Sequence, residues 1–156
     1  MKKLLTRLGW TLLILFVAIQ VFRPSRTNPP EAAEQAIEAK APFTPVAADA
    51  FARACADCHS NRTEWPWYSE VAPVSWFVAN HVNHARSHLN VSDWGQYTDS
   101  EAKRYLDKMC GMTRNKEMPL GSYLIIHRDA VLTDEEIEAI CQWSQQARAA
   151  LSAAGE

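Results

Sequence analysis

The sequence predicts an all-α chain, and three observations carry that prediction. Apolar residues recur at i, i+3, i+4 and i+7 within 46–58, 99–110 and the last segment from Thr133, the spacing of one helix face. Prolines, glycines and capping residues fall between the periodic segments, and no run alternates convincingly as a half-buried strand would. Ahead of them, Lys2, Lys3 and Arg7 precede an apolar run that reaches Phe22, the pattern of a single N-terminal membrane-spanning helix. Three regions follow from this reading: an anchor over 1–22, a proline-rich linker over 23–45 and one domain over 46–153.

Cleaved export signals end in small residues, whereas this run ends Gln20-Val21-Phe22-Arg23-Pro24, so the sequence predicts an anchor that is retained. Counted from Leu4, with Arg7 snorkelling, it is long enough for a bilayer core of ~30 Å. The basic residues at its start place the N-terminus in the cytoplasm and the domain outside. Pro24, Pro29, Pro30, Pro42 and Pro45 then favour extended backbone. Glu31 to Lys40 could form a short helix with an alanine face, read here as a spacer lifting the domain from the membrane.

The first helix of the domain is expected over Val46 to Cys58, with Phe51, Ala54, Cys55 and Cys58 on one face. Phe51 suits core packing and cofactor contact equally. The helix leads into Cys55-Ala56-Asp57-Cys58-His59, the C-x-x-C-H signature of c-type haem attachment. Cysteines three apart share one face of a helical turn, so both thiols can reach one flat ligand. His59 is then carried beneath it, where a neutral imidazole can bind iron. A redox dithiol would call for a βαβ context, and a zinc site for a second paired set of cysteines. Cys110 and Cys141 stand singly instead. Covalent attachment of this kind occurs outside the bacterial inner membrane, in agreement with the exported topology. The expected location is that membrane, with the domain on its periplasmic side.

Trp65-Pro66-Trp67-Tyr68 cannot continue a helix through Pro66. It reads as a rigid aromatic wall, either over a haem edge or pinned to the core. A second helix runs from Pro73, suited to a first turn, to about Leu89. It sets His81, His84 and His88 on one face, a solvated face or a source of metal ligands. Ser92 reads as a cap for the turn holding Trp94 and Tyr97. The third helix spans Asp99 to Cys110, capped by Asp99 or Ser100 and stopped by Gly111. In the polar stretch after it, Met118 stands before Pro119 with few conformers open to it, and its thioether is the candidate distal iron ligand. Met112 is its competitor, and Met109 lies on the packing face. Thr133-Asp134-Glu135-Glu136 is a capping box for a final helix to about Leu151. Its inner face holds Ile137, Ile140, Cys141 and Ser144, with Trp143 at the edge. Cys110 and Cys141 are expected either to pair in an oxidising compartment or to remain buried thiols.

A formal net charge of −2 leaves no nucleic-acid footprint. Six tryptophans and four tyrosines are many for 156 residues and suit the walls of a flat apolar cofactor.

Several blocks together resemble a known family. They are Phe22-Arg23-Pro24 with Asn28-Pro29-Pro30, Cys55 to Asn61, Trp65 to Ser69, Ala72 to Trp76, Arg86 with Leu89-Asn90, and Met118-Pro119-Leu120 with Tyr123 and His127. The chain is similar over nearly its whole length to the haem-binding-domain family of bacterial membrane-anchored mono-haem c-type cytochromes. The resemblance implies a cytochrome c-like helical domain around one haem c per chain. It implies attachment at Cys55 and Cys58, His59 as proximal ligand and, by analogy, Met118 as distal ligand. The expected role is single-electron transfer between redox proteins, a carrier rather than a catalyst. A haem-based sensor with a labile sixth ligand is the alternative. A peroxidase-type enzyme using His127 or His84 ranks behind it.

Overall fold

The computed structural model describes residues 1–153. Its regular structure there is entirely helical: α1 (Lys2–Ile19), α2 (Ile37–Lys40), α3 (Pro45–Ala54), α4 (Ala56–His59), α5 (Val74–His88), α6 (Asp99–Arg114), α7 (Gly121–Leu124) and α8 (Asp134–Ala153). Short 3₁₀ turns at Ala33–Gln35, Trp67–Glu70, Val91–Gln96 and Arg128–Ala130 join them.

Two long helices, α6 and α8, pack along each other and α3 lies across α8. Leu106, Ile140, Phe51, Trp94 and Trp143 fill the space between. Trp143 belongs to this core rather than to an edge: it is 2% exposed, and its Nε1 donates to the carbonyls of Ala41 and Pro42 at 3.2 and 3.1 Å. A disulfide joins Cys110 of α6 to Cys141 of α8, so these two thiols pair.

The helix ends refine the sequence reading. Thr98, not Asp99 or Ser100, caps α6: its hydroxyl accepts from the Glu101 N–H while the Glu101 carboxylate accepts from the Thr98 N–H. The expected box at Thr133 and Glu136 is present in the same form. Asn90 rather than Ser92 caps the 91–96 turn, accepting from the Ser92 N–H. Gly111 does not stop α6, which runs on to Arg114. The stop is Lys116, in the left-handed region at φ 57°. Its N–H bonds the Thr113 carbonyl, and the Glu117 N–H bonds that of Met112, a Schellman motif built on a lysine. The first domain helix is also shorter than expected, because Cys55 leaves helical geometry (φ −127°, ψ −40°) and separates α3 from the single turn α4.

Two larger expectations are corrected. The stretch read as a spacer is part of the fold. Ile37 is 0% exposed, Ala36 and Ala41 are buried with it, and Arg62 pairs with Glu31 and Glu38. The prolines flanking it extend the backbone, but its one large apolar side chain, Ile37, still finds the core. The expected spanning helix is not found either: among the described residues, no helix is long and apolar enough to cross a membrane. Lys2, Lys3 and Arg7 occupy the start of α1, and the uncharged remainder is about 18 Å long at 1.5 Å per residue.

Candidate functional site

The Cys55–His59 segment turns sharply because α4 is one turn, with the N–H groups of Cys58 and His59 both donating to the Cys55 carbonyl at 3.2 and 3.0 Å. The turn gives its residues different surroundings. Cys55 packs against the main core, whereas Cys58 and His59 line an apolar cavity. Behind the turn, Arg86 of α5 donates to the Ser60 carbonyl (2.8 Å), to Thr63 Oγ1 (2.7 Å) and to Asn28 Oδ1 (2.8 Å). Ser92 Oγ accepts from the Asn61 N–H at 2.9 Å. Three separate segments, α5, the 91–96 turn and the stretch of Asn28, whose Nδ2 donates to the Thr63 carbonyl at 2.9 Å, thus hold the residues after His59 in place.

His59 Nδ1 lies 3.0 Å from the Leu89 carbonyl. A carbonyl only accepts, so the proton sits on Nδ1 and Nε2 keeps its lone pair. Burial pushes the imidazole pKa down, opposed by that hydrogen bond, and favours the neutral ring. An oriented imidazole with one bare nitrogen is the form in which histidine binds iron.

The thiols are also neutral. Burial pushes Cys55 up to about 12 and, with the Asp57 carboxylate adding to it, Cys58 up to about 11. Redox dithiols lower their pKa, and zinc binds thiolates. With Cys110 and Cys141 joined to each other, neither alternative reading of the pair gains support.

Another part of the lining comes from the segment after α6. After the Lys116 stop, the Met118 N–H bonds the Met112 carbonyl at 3.2 Å, and Met118, Pro119 and Leu120 line the cavity shared with His59. Met112 instead borders a separate polar cleft beside Lys103, Arg104 and Arg148, and Met109 packs on the core. Val74, Phe77, Val78 and Val82 of α5 supply the apolar side of the cavity. The aromatic wall divides: Pro66 and Tyr68 line the cavity, Trp67 is 79% exposed, and Trp65 borders a different cleft beside Arg53. Phe51 faces the core, in contact with Phe43.

The three histidines of α5 do not converge. His81 reaches the cavity and packs on Phe77 with ring centroids 4.0 Å apart, while His84 and His88 pair with each other. Among the described residues, no group of three or more His, Cys, Asp or Glu side chains is arranged to hold a metal ion.

Sequence reasoning named Tyr123 and His127 but missed the bonds that join them to Asp57 and Tyr68 along the polar edge of the cavity. Tyr123 Oη donates to Asp57 Oδ2 at 2.9 Å. The Tyr123 ring stacks on His127 at 3.9 Å and 11°. His127 Nδ1 donates to the Tyr123 carbonyl, leaving Nε2 to accept from Tyr68 Oη at 3.1 Å. Burial first and Asp57 second raise the pKa of the Tyr123 hydroxyl, so it remains a donor. The i, i+4 spacing of Tyr123 and His127, and the acid placed between the two cysteines, were the available signals.

A flat apolar cofactor bound by an imidazole fits these surroundings: the cavity lining is largely apolar and includes the bare Nε2 of His59, the neutral thiol of Cys58 and the thioether of Met118, while Cys55 lies at the adjoining core. Neither a curated protein nor a solved structure matches the chain. A family model described as a haem-binding domain matches residues 14–146, most of the chain. The chain therefore belongs to the haem-binding domain family, and its cofactor is haem.

Proposed function

We propose that this protein is a mono-haem c-type cytochrome that carries single electrons between redox proteins. One observation carries the reading. A single apolar cavity collects Cys58, the oriented imidazole of His59 and, of the three methionines along 109–118, Met118 alone. Haem supplies a reversible one-electron change at iron. In this reading Cys55 and Cys58 would hold it through thioethers, and His59 Nε2 and Met118 Sδ would be the two protein donors to its iron. The Leu89 carbonyl keeps His59 in its donor tautomer. Val74, Phe77 and Val82 keep water from the ring, and a thioether ligand in a dry pocket raises the potential. No group need act as acid or base.

Attachment to a membrane through α1, with the domain outside the cytoplasm, is part of the same proposal. Its support is the cationic start of α1 and its exposed Leu, Ile and Trp side chains.

A second reading, a haem-based sensor, draws on Tyr68 and His127. Both border the cavity and could hydrogen-bond a small ligand once Met118 moved aside. Spectroscopy separates the two. The full chain, produced with c-type haem maturation, is expected to carry one covalent haem per chain and a low-spin ferrous spectrum. It should also show a ferric sulfur-ligand band that Met118→Ala abolishes, and no carbon monoxide shift. A high-spin protein that binds carbon monoxide at once would favour the sensor. Haem lost to acid–acetone extraction would remove covalent attachment.

A further inference from the structure

We propose that the Tyr123–Asp57 hydrogen bond is a clasp that holds the Met118 loop at the cavity it shares with His59, which makes both residues positioning residues for the sixth ligand. The inference rests on the reading of Met118 as that ligand.

The loop from Lys116 to Leu120 hangs between two supports of unequal strength. Upstream is the Schellman end of α6, a sixteen-residue helix with a capping box and a disulfide to α8. Downstream is α7, four residues long with no side-chain cap. A helix of one turn has negligible stability of its own, because nucleation is the costly step. Packing on the protein core adds little: Ile125 is exposed, and Leu120 and Ile126 line the cavity rather than the core. Side-chain ties must therefore fix α7, and through it the exit of the loop: the Tyr123 N–H returns to the Leu120 carbonyl at 2.9 Å.

Two such ties exist. Tyr68 donates to His127, which joins α7 to the loop ahead of α5. Tyr123 donates to Asp57, which joins α7 to the turn of His59 itself. The second tie connects the segments of the two axial ligands across 66 residues of chain. The acceptor is a carboxylate, which strengthens the bond. The second Asp57 oxygen accepts from the Glu64 N–H at 3.2 Å, fixing its orientation. Asp57 thus has a role in the C-x-x-C-H segment that attachment chemistry does not require.

The test uses the full haem-loaded chain. Tyr123→Phe keeps the ring and its stacking on His127 and removes one hydroxyl. The ferric sulfur-ligand band should weaken by at least half, and carbon monoxide should bind the reduced protein at least tenfold faster. Helix content and haem stoichiometry should match the parent. Asp57→Ala should give the same change, and the double variant no more than either single one, since both remove one bond. Asp57→Ala reads the same band if Tyr123→Phe does not accumulate. A parent protein with the band, and variants whose band and carbon monoxide rate equal it, would overturn the clasp and leave Met118 as ligand. Variant effects that sum in the double would equally overturn it. A parent without the band would overturn the reading of Met118, and the clasp with it.

Discussion

Ile37 has no exposed surface, though the rest of residues 31–40 is alanine, glutamate, glutamine and lysine. It packs with Val91, Trp94 and Phe51 in the main core. Truncation there leaves a cavity that α2, only one turn long, has little means to close. Ile37→Ala is expected to cost about 2–5 kcal/mol in denaturant unfolding. Glu34→Ala, in the exposed part of the same stretch, should stay within about 0.5 kcal/mol. Equal midpoints for the two would return residues 31–40 to the role of a free spacer. At this scale the sequence was legible where chemistry demands a fixed spacing. Spacing singled out Cys55, Cys58 and His59, the following proline singled out Met118, and the fold brings Cys58, His59 and Met118 to one cavity while Cys55 packs on the core. Ile37 was illegible because one apolar residue has no period. Tyr123 and Asp57 were illegible because their bond depends on where the chain goes after α6.

Helix faces were legible for the same reason that helix ends were not. The residues Ala102, Tyr105, Leu106 and Met109 repeat over two turns, and periodicity over that length overrides local detail. A helix end rests on one or two residues. Gly111 looked like a stop because glycine adopts positive φ freely, yet the left-handed residue is Lys116, which carries a steric penalty there that glycine would not. Likewise Thr98 takes the cap from Asp99 and Ser100 because Glu101 stands three residues after it and completes the box. Thr98→Ala should cost about 1 kcal/mol in thermal or denaturant unfolding. Ser100→Ala should cost much less, since its side chain holds no cap bond. The reverse order would restore the cap to where the sequence first suggested it.

For the molecule as a whole, the α6–α8 pair is the frame to which the rest is fastened. Its bridge closes a loop of 31 residues that contains the Lys116 stop, the Met118 loop, α7 and the start of α8. Chain-entropy arguments give such a loop about 3–4 kcal/mol of stabilisation. Cys110→Ala with Cys141→Ala is expected to lower the unfolding free energy by that order, measured against urea, with helix content kept. The same bridge has a consequence for how the protein is made. Four thiols leave the ribosome, and two of them must remain free for the proposed thioethers. An oxidising compartment does not discriminate among them, and a bond from Cys55 or Cys58 to Cys110 or Cys141 would spoil both sites at once. Packing α6 on α8 sets Cys110 and Cys141 with their Cα atoms 4.6 Å apart, close enough to choose each other. On the proposed reading of Cys55 and Cys58, the bridge would act as an error-correcting step in biogenesis: it would withdraw the two competing thiols and leave the nascent domain with one pair to modify.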